Sequence, residues 1–122
     1  MNAPKRILYA DDDEDSCAMM AALLGQFGYE TLVVQTTASA LKLAQTARFD
    51  LYVIDNHFPD GTGAELCRQI RRFDVRTPLI IYSGTSTEAD LKEALRAGAQ
   101  AYILKPYIEE LLQSIVTALY TS

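Results

Sequence analysis

Cysteine is scarce in this chain: Cys17 and Cys67 are the only two in 122 residues, with neither a C-x-x-C pair nor a Cys/His spacing. That excludes a zinc knuckle or a disulfide-stapled scaffold and leaves both as small, reduced, apolar fillers. Long hydrophobic runs are missing as well. The longest, Cys17 to Leu24, has eight residues, too few to span a bilayer. No extended apolar stretch follows Met1-Asn-Ala-Pro-Lys-Arg6, so a secretory leader is not expected either. These absences point to a cytoplasmic protein without membrane contact. Nor is there a basic excess: 11 Lys and Arg face 16 Asp and Glu, a net charge of −5. Direct nucleic-acid binding, which needs a basic stripe, is therefore not expected.

What is present is ordinary globular usage, 49% hydrophobic and 22% charged, at a length that suits one domain with one sizeable core. The negative charge is concentrated. Asp11, Asp12, Asp13, Glu14 and Asp15 are consecutive, and without them acids and bases are equal at 11 each. Short apolar runs alternate with helical periods along the whole sequence. Ile7–Ala10, Thr31–Val34, Leu51–Ile54, Pro78–Tyr82 and Ala101–Leu104 read as strands. Helices are expected over Glu14–Phe27, Ala38–Gln45, Ala64–Phe73, Ala89–Ala97 and Ile108–Tyr120. Phe27 completes the apolar face of the first helix, and Gly28 and Gly98 serve as stops. Thr36 or Thr37 is available to cap the second helix, and Thr85-Ser-Thr-Glu88 fits a capping box before the fourth. Phe58 to Gly63 is turn chemistry throughout.

Five strand–helix repeats with strands apolar on both faces imply a parallel sheet covered by helices on both sides. An eight-stranded barrel needs roughly 200 residues or more, so the expected architecture is an open, doubly wound α/β sheet. In such sheets ligands bind outside the carboxyl ends of the strands, where the strand order reverses. Asp11 and Asp12 follow the first strand, Asp55 the third, Ser83 the fourth and Lys105 the fifth. Each has an ordinary reading by itself: helix cap, turn former, loop hydroxyl, surface lysine. Together, at equivalent strand ends, they read as one pocket. In a flavodoxin-like order 2-1-3-4-5 three carboxylates converge there, and they need a counter-charge. A hard divalent cation such as Mg²⁺ would supply one, with the lysine and hydroxyl placed to hold an anionic group. The chemistry suggested is phosphoryl transfer to or from a carboxylate.

From about Lys5 to its end, the sequence resembles the receiver domains of bacterial two-component response regulators. The marks are Ile7-Leu-Tyr-Ala-Asp11-Asp12-Asp13-Glu14, Asp50-Leu-Tyr-Val-Ile-Asp55 with Pro59 and Gly63, Tyr82-Ser83-Gly84, and Ala97-Gly98 followed by Tyr102 and Lys105-Pro106. The resemblance implies a flavodoxin-like (βα)5 fold and a single receiver over residues 1–122, with no output domain in this chain. It implies that Asp55 is the phosphoacceptor. Asp12 would ligate Mg²⁺ directly and Asp11 largely through water, with Asp55 and the backbone carbonyl of His57 completing the protein ligands. Lys105 would pair with the phosphoryl group, Ser83 would move to hydrogen-bond it, and Tyr102 would be the switch aromatic that turns inward afterwards. Lys105–Pro106 is expected to be cis. The implied donor is phosphohistidine on a sensor histidine kinase or a histidine phosphotransfer protein. The implied output face is the fourth helix, fifth strand and fifth helix, and the protein would be a monomer or a phosphorylation-dependent dimer.

Two positions depart from the family's commonest pattern: His57 at the pocket mouth, where an imidazole could alter hydrolysis or access, and Gly84 in place of alanine. Tyr82 is assigned no role, and Arg68, Arg71, Arg72 and Arg76 read as a solvated face. A signalling switch that assists its own phosphorylation and dephosphorylation is thus preferred to an enzyme. The alternative is a small aspartate-dependent phosphohydrolase of the haloacid-dehalogenase type, with Asp11 as nucleophile and Asp13 as acid. It lacks a cap domain and has Ser83-Gly84 where a second acidic pair belongs. A flavodoxin is rejected, because five acids after the first strand would repel phosphate.

Overall fold

A computed structural model describes residues 3–121. Five strands, β1 (Arg6–Ala10), β2 (Glu30–Val34), β3 (Leu51–Ile54), β4 (Leu79–Ser83) and β5 (Ala101–Leu104), form one sheet in the order β2-β1-β3-β4-β5. All four pairings are parallel, with Ile7 beside Leu51, Tyr52 beside Leu79 and Ile80 beside Ala101. Helices α1 (Glu14–Gln26), α2 (Thr37–Thr46), α3 (Gly63–Arg71), α4 (Glu88–Ala97) and α5 (Ile108–Tyr120) follow the strands in turn. The flavodoxin-like order is therefore as expected.

Strand alternation sorts the apolar runs into two cores. Leu8, Tyr52, Ile54, Leu79 and Ile81 pack with Ala40 and Ala44 of α2, Leu66, Cys67 and Ile70 of α3, and Ala94 and Ala97 of α4. Ile7, Tyr9, Leu51, Val53, Ile80 and Tyr82 face the other way, onto Cys17, Met20 and Leu24 of α1 and Leu111 and Ile115 of α5. The two edge strands are less buried: Glu30 and Val33 of β2 are exposed, and in β5 only Ile103 is buried. Both cysteines are buried and free, and burial pushes the Cys17 thiol up to about 11.

Four expectations change. Phe27 does not complete the α1 face: it is the C-cap and 57% exposed, because Gly28 at φ 83° turns the chain away. The capping box of α4 lies two residues later, with Thr87 accepting from the Asp90 N–H and Asp90 reaching back. Arg71 is not solvated; its guanidinium donates to the carbonyls of Gly98, Asp74 and Thr77 and ties the end of α3 to the loops around it. Residues 58–63 are more than a turn, since His57–Phe58 and Gly61–Thr62 pair as a small antiparallel hairpin.

Candidate phosphoacceptor pocket

The acidic run after β1 is divided by function. Asp13 is the N-cap of α1, accepting from the Ser16 N–H at 3.1 Å and the Ser16 hydroxyl at 2.6 Å, and Glu14 and Asp15 lie in the first turn, where acids suit the helix dipole. That leaves Asp11, 1% exposed, and the exposed Asp12 to face the carboxyl end of the sheet. Asp55 arrives from the end of the adjacent β3, itself buried. Oxygens of Asp11, Asp12 and Asp55 all lie within 4.8 Å of one another.

One cation answers this charge from within the protein. Lys105, after β5, donates to Asp11 Oδ2 at 2.7 Å and to Asp55 Oδ2 at 3.1 Å. Burial pulls its ammonium toward neutrality, but hydrogen bonding and charge from Asp11 and Asp55 outweigh that and raise its pKa above the ordinary lysine value. The cis Lys105–Pro106 bond lies at this strand end, as expected. Three carboxylates against one ammonium leave an excess of two negative charges, and the donors are all hard oxygens. The residues therefore fit a Mg²⁺ ion.

On the other side of Asp55, its Oδ1 accepts from the backbone N–H of Asn56 at 2.6 Å and of His57 at 3.4 Å. Gly63 at the start of α3 lies against this loop, donating its N–H to Asn56 O at 3.0 Å. Ser83, fully buried at the end of β4, accepts weakly from the Thr85 N–H at 3.4 Å. Tyr102 on β5 is half-buried, and its hydroxyl donates to the Thr85 carbonyl at 2.5 Å. His57 is exposed but not idle: its Nε2 is 2.6 Å from Thr85 Oγ1. Thr85 thus joins the loops after β3 and β4 and the aromatic of β5. A Cβ added to Gly84 would meet nothing within 4 Å.

Sequence reasoning grouped Asp11, Asp12, Asp55 and Lys105, which lie together, and placed Ser83 at the end of the neighbouring strand, but overlooked four contributors. Tyr9, two residues before Asp11 and so on the same side of the strand, donates its hydroxyl to Asp11 Oδ2 at 2.8 Å. Burial, then the charge and hydrogen bond of Asp11, push the Tyr9 phenol far above its usual pKa. Tyr82 places its ring 5.6 Å from Lys105 Nζ, within cation–π range. Asn56 is buried with its Oδ1 unpartnered. Asp60, at the hairpin tip, accepts from the Thr37 and Ala38 N–H groups at 3.0 and 3.1 Å and so ties the acceptor loop to the N-terminus of α2. Only the strand spacing of Tyr9 carried a usable signal.

A doubly wound sheet with a lysine-bridged carboxylate cluster at its topological switch point points to a class, α/β domains whose site suits a divalent cation and an anionic group. Comparison with known proteins makes this particular. Residues 7–117 match the family model of the response regulator receiver domain. The alkaline phosphatase synthesis transcriptional regulatory protein PhoP of Bacillus subtilis is 32% identical over 103 residues, covering 84% of this chain and 43% of that protein. A CheY-like receiver domain from Methanospirillum hungatei superimposes with a TM-score of 0.91 at 31% identity, covering 95% of this chain and 94% of that one. A Burkholderia pseudomallei response regulator, solved with a phosphorylated aspartic acid, calcium ion and citrate, has a TM-score of 0.85 at 27% identity, covering 96% of this chain and 67% of that one. The chain belongs to the response regulator receiver family, whose members are phosphorylation-dependent signalling switches of two-component systems. It spans under half the length of the PhoP it matches. Among the described residues no helix is long and apolar enough to cross a membrane.

Proposed function

We propose that Asp55 accepts a phosphoryl group from a phosphohistidine donor, on a sensor histidine kinase or a histidine phosphotransfer protein. The observation that carries this reading is the Lys105 ammonium, held between Asp11 and Asp55 at 2.7 and 3.1 Å. A carboxylate oxygen of Asp55 attacks phosphorus, the N–P bond to the donor imidazole breaks, and the leaving nitrogen takes up a proton. Asp11, Asp12, Asp55 and the His57 carbonyl would hold Mg²⁺; when bound, the ion neutralises charge developing on the transferring oxygens. Lys105 pairs with the phosphoryl oxygens. Ser83 moves to hydrogen-bond them, and Tyr102 leaves the Thr85 carbonyl and turns inward. The acyl phosphate carries a charge of about −2 where the carboxylate carried −1, and this added charge biases the two-state element.

The domain, one receiver over residues 1–122, works in the cytoplasm through protein contacts at α4, β5 and α5, as a monomer or a phosphorylation-dependent dimer, and does not itself bind nucleic acid. It is a switch that assists its own phosphorylation and dephosphorylation rather than an enzyme with a separate substrate. The test is intact mass after treatment with acetyl phosphate or phosphoramidate and Mg²⁺. One phosphoryl group is expected on the wild type and none on Asp55→Asn. A phosphoryl group that survives Asp55→Asn but is lost in Asp11→Asn would overturn the assignment in favour of a phosphohydrolase.

A further inference from the structure

Asp11 has more protein donors than a simple metal ligand requires. Its Oδ2 takes both the Tyr9 hydroxyl at 2.8 Å and the Lys105 ammonium at 2.7 Å, while Oδ1 takes the Asp13 N–H at 3.0 Å. With two acceptor sites per carboxylate oxygen, Oδ2 is filled and Oδ1 keeps one site. Tyr9 is 1% exposed, and its ring packs with Cys17, Met20 and Tyr82 in the layer beneath α1 and α5. Its hydroxyl therefore stays where the strand puts it. The Lys105 ammonium, at the end of a flexible side chain that is 26% exposed, has no such restraint.

We propose that Tyr9 is a positioning residue that holds Asp11 Oδ2 while Lys105 turns to the phosphoryl group, and thereby keeps Oδ1 as the oxygen facing the cation. The inference rests on Asp55 being the acceptor. A phosphoryl group there draws the ammonium, already 3.1 Å from Asp55 Oδ2, away from Asp11. Without Tyr9, a buried charged oxygen would lose its last donor, which is costly. Before phosphorylation Lys105 covers Oδ2, and the phenol is redundant. Tyr9 thus acts on the phosphorylated state in preference to the resting one.

The experiment is isothermal titration calorimetry of BeF3⁻, a mimic of the phosphoryl group on a carboxylate, at saturating Mg²⁺, and of Mg²⁺ alone. Wild type, Tyr9→Phe and Tyr52→Phe are compared. Tyr52 makes a similar, part-buried bond, its hydroxyl to Asp74 Oδ2 at 2.9 Å, and packs in the opposite core layer, beneath α2, α3 and α4. Tyr9→Phe is expected to weaken BeF3⁻ binding by about tenfold or more and to leave Mg²⁺ binding near the wild-type value. Tyr52→Phe should change neither. Equal BeF3⁻ affinity in Tyr9→Phe and wild type, a parallel loss of Mg²⁺ binding, or the same loss in Tyr52→Phe would overturn the inference while leaving the acceptor reading intact. A wild type that binds no BeF3⁻ would overturn both. A second measurement needs no variant. In wild type with Cζ-labelled tyrosine, the protected Tyr9 hydroxyl proton is expected to persist in NMR spectra after Mg²⁺ and BeF3⁻ are added; its loss would refute the role.

Discussion

Gly63 and Gly84 both border the pocket, and the structure predicts opposite results from giving each a methyl group. A Cβ on Gly63 would lie 2.3 Å from the Asp55 carbonyl oxygen, 3.1 Å from Asn56 Cα and 3.2 Å from the Asp55 carbonyl carbon. Ordinary carbon–oxygen contact begins near 3.3 Å, so the two backbones would have to part by about 1 Å. They are tied by the Gly63 N–H to Asn56 O bond at 3.0 Å, so the separation also strains that bond. Overpacking of backbone against backbone lies at the upper end of the usual range, about 3 kcal/mol, or roughly 10 °C in Tm for a domain of this size. The displaced residue is Asp55 itself, and a misplacement of that size costs about 100-fold in rate. Thermal denaturation and the rate of phosphorylation by phosphoramidate test both figures for Gly63→Ala. Gly84→Ala, whose Cβ meets nothing, should stay within about 0.5 kcal/mol of wild type and phosphorylate at the same rate. A Gly63→Ala protein with wild-type Tm and rate would refute the steric argument.

His57→Ala removes the 2.6 Å bridge to Thr85 Oγ1 across the pocket mouth and should speed loss of the phosphoryl group, followed by intact mass over time; an unchanged lifetime would show that the imidazole has no part in it. Asn56→Leu replaces a buried amide whose Oδ1 lacks a donor and should stabilise the fold by about 1 kcal/mol in urea denaturation; a loss of stability would show that the amide is satisfied. Asp74 is held below the usual carboxylate range: burial opposes this, but the hydroxyl and N–H of Thr77, the Tyr52 hydroxyl and the Arg76 N–H outweigh it. A folded pKa below the unfolded one contributes stability above the unfolded value, near 3.9, that is lost as pH falls through the folded value. Asp74→Asn should therefore flatten part of the acid limb of a Tm-against-pH profile and leave the slope near neutrality alone.

The strand ends were legible because they obey two simple rules. Apolar runs such as Leu51–Ile54 stop at the first charged residue, and parallel α/β sheets gather such residues at one edge. Asp11, Asp55, Ser83 and Lys105 could be brought together on that basis without any geometry. Local repetition defeated the cap of α4. Thr85 with Glu88 and Thr87 with Asp90 are equally good boxes in sequence, and the chain uses the second while Thr85 is engaged by His57 and Tyr102. Arg71 was misread because Gly98 is brought near only by the fold, while Asp74 and Thr77, in the loop directly after α3, offer backbone carbonyls that leave no mark in the sequence. The hairpin at His57–Thr62 was hidden by its brevity: two paired residues on each side leave no periodicity to detect.

The bond from Asp60 to α2 sets the unit in which this molecule can be rearranged. Helix α2 carries no pocket residue, yet its first two N–H groups close on a carboxylate from the loop that follows Asp55. Anyone building chimaeras between receivers would meet this directly. Because both donors are backbone groups, an exchanged helix would hold Asp60 only if it started at the same residue and carried no proline at its first two positions; a shifted start would loosen the loop that presents the acceptor. The transferable module is the continuous stretch from Thr36 to Thr62, in which helix, central strand and hairpin travel as one piece.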